Sequence, residues 1–275
     1  MKLKFMNYQK YIKVLAVALL PLVCACSSEE EPDMSYDGII NNEVLDKLVN
    51  ETSEYVCIDE KSYTMNCEDY LNGTGEWEEV VGPWFAARSQ ESGRRWILSK
   101  GQLITPMTFR RSTGATTMDL VDAWDIYCNQ SGYDKTIAVG RSISVDKEKH
   151  TLNFEPNTEY PWLHSHYFIY NIQKADGKYL AVTHDYPDQG PNDKGEIVYR
   201  ERAHKEDLLF IKVKKPNMKK FQVFENGEDA TLWMIKKMRE YFGDTIDVYK
   251  YTSEGKKGRI IDLVELEYWT KSSYL

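Results

Sequence analysis

Thr136-Ile-Ala-Val-Gly-Arg-Ser-Ile-Ser-Val145 is the stretch that decides the fold. It is a run of strand formers and short polar residues in alternation, and such runs recur down the chain. They return at 150–154, 163–172, 178–184, 195–201 and 208–214. The connections between them carry turn chemistry: Asp176-Gly177, Asp185 through Gly195, and Lys215-Pro216-Asn217. Upstream, 76–81 (ended by Gly82-Pro83), 95–98 and 102–110 read the same way. Antiparallel strands need only such short links, whereas parallel strands need crossover helices. The expected class is therefore mainly β, an antiparallel meander. With this many strands, closure into a barrel hides the edges, and a β-sandwich is the second choice.

Two stretches bear on helices. From 115 to 128, Leu120, Val121, Trp124 and Tyr127 fit a helical face, but Thr116, Thr117, Val121, Trp124, Ile126 and Tyr127 are strand formers. A strand is expected there. By contrast, 226–243 reads as one amphipathic helix in the C-terminal region. Acids Glu228 and Asp229 open it, Lys236, Lys237 and Arg239 lie towards its end, and Gly243 stops it. Ala230, Met234, Met238, Tyr241 and Phe242 form its apolar stripe. A final hairpin is expected from 245–251 and 259–269, turned at Glu254-Gly255-Lys256.

The N-terminus carries an address. Lys2, Lys4, Lys10 and Lys13 precede an apolar run from Val14 to Ala25. Twelve helical residues reach about 18 Å, short of the roughly 30 Å hydrocarbon slab, so 1–25 reads as a signal peptide. Val23-Cys24-Ala25-Cys26 resembles a bacterial lipobox, in which a small residue precedes a cysteine that is acylated and becomes the new N-terminus. Cys24 follows bulky Val23, which favours Cys26 as the lipidation site. Ser27-Ser28-Glu29-Glu30-Glu31-Pro32-Asp33 is similar to the surface-export signal of Bacteroidota lipoproteins. The resemblance implies diacylglycerol and palmitate at Cys26 and an outer-membrane, lipid-anchored location facing the cell exterior. Residues 26–52 then form an acylated, self-repelling tether with a short helix near 41–49, and 53–275 a single β-rich domain.

Charge narrows the partners. The formal balance of −8 lacks the basic stripe that nucleic acid requires. Cleavage would remove four of 35 basic residues and none of 43 acidic ones, shifting the balance to −12. In an oxidising compartment Cys57 and Cys67 could close a loop as a disulfide. His164 and His166, sharing one strand face, and His184 on the next strand are candidate metal ligands. Alternating aromatic and polar residues on a half-solvated strand explain the same pattern, so no metal or other cofactor is assigned. The acidic 185–196 segment could bind calcium but has ordinary turn composition.

No nucleophile elbow, His-Glu-x-x-His, Walker loop or dinucleotide fingerprint is present, which points away from an enzyme. Trp77, Trp84, Trp96, Trp124 and Trp162 sit in or beside expected strands. Packed inside they form core; exposed together they would form a platform for sugar rings. Gly75-x-Trp77 at the entrance to the β-region, the meander and the late helix resemble the lipocalin-like barrels of Bacteroidota lipoproteins. That resemblance implies a non-enzymatic surface protein binding a small apolar ligand or a glycan. The alternatives are a surface polysaccharide hydrolase and a scaffold subunit of an outer-membrane complex.

Overall fold

The computed structural model describes residues 33–80, 95–107, 115–155, 163–213, 215–251 and 259–273. The expected signal peptide 1–25, Cys26, Trp84, Trp162 and the expected turn at Glu254-Gly255-Lys256 lie outside the described residues. The chain divides into two compact units, Met1–Ser35 and Tyr36–Leu275. The second unit carries all the elements that follow.

Helix α1 (Asn42–Asn50) leads into strand β1 (Ser53–Asn66), short helix α2 (Cys67–Asn72), and strands β2 (Glu78–Glu79), β3 (Arg95–Ser99) and β4 (Gln102–Pro106). Helix α3 (Ala115–Ser131) precedes strands β5 (Thr136–Asp146), β6 (Thr151–Phe154), β7 (Ile169–Ala175), β8 (Tyr179–Pro191), β9 (Ile197–Val213) and β10 (Phe221–Phe224). Helix α4 (Gly227–Phe242), strand β11 (Thr245–Asp247), helix α5 (Val248–Tyr251), strand β12 (Ile260–Asp262) and helix α6 (Leu263–Ser273) complete the order.

Eight strands close an antiparallel barrel. β1, β3, β4, β5, β6, β7, β8 and β9 pair in that chain order, and β9 returns to β1 from Glu54↔Val213 to Asn66↔Arg202. This is the expected meander, closed as the lipocalin resemblance implied, and closure leaves none of these eight strands as a sheet edge. β2 adds to β1 outside the ring, and β10 runs parallel to β5.

The two ends of the barrel are built differently. At one end β3–β4, β5–β6 and β7–β8 are joined by tight turns. Lys100 and Gly101 both take positive φ (50° and 76°), the primed hairpin geometry whose twist suits the flanking strands. Helix α1 lies across this end and ties to all three turns. The Gly101 N–H donates to the Val49 carbonyl at 2.6 Å, Lys147 pairs with Asp46 at 2.5 Å, and the Asn41 N–H donates to the Ala175 carbonyl at 3.0 Å. Its Leu45 and Leu48 are 0% and 1% exposed and join Tyr55, Leu98, Leu152, Leu180, Leu208 and Phe210 in the barrel core. The helix expected within a tether is therefore the barrel's plug, part of the compact unit Tyr36–Leu275. The other end carries the longer connections between β1 and β3, β4 and β5, and β6 and β7.

Beside the barrel, α3, α4, α5 and α6 share a second core of Leu120, Trp124, Tyr127, Met234, Ile235, Met238 and Leu263, with Ile137 from β5. Helix α4 takes the span expected, capped by Asn226 accepting from the Asp229 N–H. The 115–128 stretch corrects the sequence reading, because it is helix. Leu120, Ala123, Trp124 and Tyr127 bury one face against neighbouring helices, and that burial outweighs strand propensity. The final hairpin survives only as β11–β12. Asp262 then accepts from the Val264 and Glu265 N–H groups and starts α6.

Candidate ligand-binding site

Residues directly opposite each other on paired strands share a face, so the registers of β1, β9 and β8 define four rows across the inner wall. The lowest is Cys57, Phe210 and Leu180, and the next is Glu60, Leu208 and Val182. Above these come Ser62, Glu206 and His184, then Thr64, His204 and Tyr186. The inner wall thus changes from apolar near the α1 plug to polar and aromatic near the long connections.

A bulge on β1 creates this arrangement. The register shifts between Cys57 and Asp59. Without it, Asp59, Lys61 and Tyr63 would follow Cys57 on the inner face. The extra residue instead turns Asp59 outward, where it accepts from the Tyr36 hydroxyl at 3.0 Å, and aims Glu60, Ser62 and Thr64 inward.

His184 is the centre of the upper wall. It is 5% exposed, and its ring stacks on Tyr170 at 4.1 Å and lies 4.8 Å from Tyr186. Tyr167 packs on Tyr186 at 4.2 Å, and Trp96 lies 5.2 Å from Tyr170 and 4.4 Å from Phe210. The His184 Nε2 is 3.2 Å from the Tyr167 carbonyl, so Nε2 carries the proton and donates to it. Nδ1 then holds a lone pair and has no hydrogen-bond partner among the described residues, as has the Ser62 hydroxyl, 7% exposed. Burial lowers the His184 pKa below the ordinary imidazole value, against the pull of Glu206 and Asp185. The Glu60 carboxylate oxygens are also buried. Tyr167, Tyr170, Tyr186, His204 and Glu206 are half-buried, so solvent reaches this end of the wall.

A second polar cluster sits on the outer face at the same end. The Tyr70 hydroxyl of α2 donates to Asp185 at 2.8 Å and also contacts His166 Nδ1. Burial and the Asp185 carboxylate hold the Tyr70 phenol far above its usual range. Tyr70 also packs edge-on against Trp77 at 5.8 Å, which fastens α2 to the barrel.

The three candidate metal ligands, to which no metal was assigned, fall in different settings. His164 and His166 do not share a strand face; 165–168 is a 3-10 turn capped by His164, whose Nδ1 accepts from the His166 N–H at 3.3 Å. His184 lies inside the barrel with Nε2 engaged, and no three His, Cys, Asp or Glu side chains among the described residues group around a metal position. The possible disulfide between Cys57 and Cys67 does not form. Cys57, within β1, and Cys67, the first residue of α2, are free thiols, and the extended strand between them separates their Cα atoms by roughly 30 Å, against the 7 Å limit for a bridge. The 185–196 segment is strand closed by a turn in which Asn192 accepts from the Lys194 and Glu196 N–H groups.

Sequence reasoning named His184 but not Glu60, Ser62 or Glu206. The available signal was the run His204, Glu206, Leu208, Phe210, whose period of two becomes meaningful once β9 is read as one strand. Comparison of the chain with protein-family models, curated proteins and solved structures finds no match.

Proposed function

We propose that the chain is a non-enzymatic surface lipoprotein of an outer membrane, anchored through Cys26, whose barrel binds a small ligand at its open end. The observation that carries the binding reading is the gradient along the inner wall. An eight-stranded barrel has room for packed side chains or one small ligand. Here the plugged half is filled by Leu45, Leu48, Leu98, Leu208 and Phe210, while the other half is lined by half-buried Tyr167, Tyr170, Tyr186 and Glu206. A few convergent polar groups on an aromatic wall are the usual composition of a small-molecule site. The anchor rests on the lipobox resemblance and the acidic residues behind it.

Native mass spectrometry of the purified protein tests the binding reading, with a co-purifying small molecule as the expected outcome. An apo mass only, together with no binding from a panel of glycans and amphiphiles, would defeat it. For the anchor, Cys26→Ala is expected to abolish labelling by radioactive palmitate, and undiminished labelling would move the site.

One observation favours a second reading. Glu60 and Glu206 are diagonal neighbours across β1 and β9, a relation with a spacing of about 7–8 Å and Cβ atoms somewhat closer. Carboxylate pairs of that order serve glycoside hydrolysis. Release of reducing ends from an oligosaccharide, lost in both Glu60→Gln and Glu206→Gln, would replace binding by hydrolysis. The Ser62, Glu206, His184 row is no nucleophilic triad, since the acid rather than the imidazole stands beside the hydroxyl.

A further inference from the structure

Two imidazoles stand on the outer face of the open end, and their tautomers are fixed from behind. Tyr70 has one hydroxyl proton, which it donates to the Asp185 carboxylate at 2.8 Å. Its contact with His166 Nδ1 must then carry the ring's proton. Nδ1–H donates to the Tyr70 oxygen, and Nε2 keeps a lone pair. His164 is set the other way. Its Nδ1 accepts from the His166 N–H at 3.3 Å, so its own proton sits on Nε2. Burial, and then the neighbouring His166, lower the His164 pKa and keep this ring neutral. The two rings lie 4.7 Å apart, and the His166 side chain is 48% exposed. Neither Nε2 has a hydrogen-bond partner among the described residues. The His164 N–H also donates to Gln189 Oε1 at 2.5 Å, which ties the pair to β8. Gln189 is paired in register with Tyr199, whose ring lies 6.3 Å from His164 and is 46% exposed.

From this pair we infer a second binding site, outside the barrel at its open end, for a neutral oligosaccharide. A sugar hydroxyl is donor and acceptor at once. It accepts from His164 Nε2–H and donates to the lone pair of His166 Nε2. Tyr199 supplies a surface for the apolar side of a pyranose, whose polarised C–H groups are drawn to the negative face of the ring. Charged ligands leave one of the two nitrogens unmatched. A metal ion needs lone pairs, and His164 Nε2 is protonated. An anion meets the lone pair of His166, and an ammonium meets the N–H of His164. A peptide amide can satisfy both nitrogens but has no face of C–H groups to lay on Tyr199. Ring contacts also continue beyond the pair, from His166 to Tyr70 at 6.0 Å and from Tyr70 to Trp77 at 5.8 Å. A row from Tyr199 to Trp77 suits a chain of sugars better than a single one. The site shares none of the inner-wall residues and stands independently of the barrel reading above.

Long-range hydrogen–nitrogen correlation spectra of the full chain, labelled at the histidine nitrogens, read the tautomers and the ligand together. At pH 7.5 His166 is expected as the Nδ1–H form and His164 as the Nε2–H form. Maltohexaose, cellohexaose, mannohexaose and xylohexaose at about 10 mM are the probes, with N-acetylglycinamide as the amide control. At least one of the four sugars is expected to shift both Nε2 signals saturably. Tyr199→Ala, at an exposed position, should weaken that sugar at least tenfold. His166→Phe, which keeps a ring and removes the acceptor, should do the same and serves as the second variant should the first not fold. Identical tautomers in the two rings, no shift with any of the four sugars, or an affinity untouched by both variants overturns the site. A response to the amide alone overturns the saccharide assignment. Movement of the His184 signals alone puts the sugar inside the barrel, which overturns the outer site and leaves the binding reading standing.

Discussion

The plugged end of the barrel and the open end obey different rules, although the same strands supply both. α1 closes the floor with two leucines that solvent does not reach and bonds to each of the three hairpin turns. At the open end three of the four strand connections are long and only β8–β9 closes in a short turn, buried polar atoms stand on the wall, and a bulge aims side chains inward. Loops that carry function gather where a rigid scaffold presents them, and buried polar groups in a sound fold call for an explanation. The contrast teaches that one end is built for stability, while the other is where the proposed binding site lies.

Substitutions at the floor should therefore have the largest effect. Leu45→Ala is expected to destabilise the domain by about 2–5 kcal/mol, the range for a fully buried leucine whose cavity cannot collapse. Urea denaturation measures it. A loss below about 1 kcal/mol would show that α1 rests on the barrel rather than plugging it. At the open end, Tyr70→Phe keeps the packing on Trp77 and removes the hydroxyl that donates to Asp185. A loss near 1 kcal/mol is expected for such a bond, well below that of Leu45→Ala. Equal losses at the two sites would erase the distinction between them.

Acid should act on the open end first. The folded protein holds His184 below the ordinary imidazole value of 6.5, because burial disfavours the charged ring. The unfolded chain therefore binds the proton more readily, so stability is intact above about pH 6.5 and falls as the pH drops through the folded pKa. His164 is lowered as well, by burial and then by His166, and acts in the same direction. Urea midpoints at pH 7.5 and 5.5 should differ for the wild type, and His184→Gln should narrow the difference without removing it. An unchanged difference would mean that the ring is charged or exposed in solution.

Much of the fold was legible from residues alone, and the reasons for the failures are specific. The meander showed because its runs are separated by Gly, Pro and Asp turns. Helix α4 showed because Asn226, its opening acids and Gly243 agree with the apolar stripe. Helix α3 did not, since its β-branched and aromatic residues favour strands and only packing against α4, α5 and α6 decides otherwise. Strands β8 and β9 were longer than expected because Asp185, Pro187, Asp188 and Gly190 read as a loop, yet Asp185, Pro187 and Gly190 pair with β9 and Asp188 sits in the bulge between Pro187 and Gln189. The candidate site was hidden by the bulge on β1. Simple alternation from Cys57 puts Asp59 inside, and one extra residue substitutes Glu60 and Ser62. No local propensity announces that residue; the sheet on both sides imposes it.

The smallest effect should come from the plug itself, at its surface. Lys147 and Asp46 join the β5–β6 turn to α1, and their side chains are 44% and 53% exposed. Water screens such a pair, and holding two mobile side chains in one geometry offsets most of the attraction. Lys147→Ala is thus expected to lower stability by less than about 0.5 kcal/mol in urea, and 0.5 M salt should remove even that difference. The comparison with Leu45→Ala isolates what seals the floor. If the ion pair proves to matter as much as the leucine, α1 is held by charge and becomes a salt-sensitive cover. If it does not, apolar burial alone keeps the floor shut, and any ligand enters from the end where His184 and Glu206 stand.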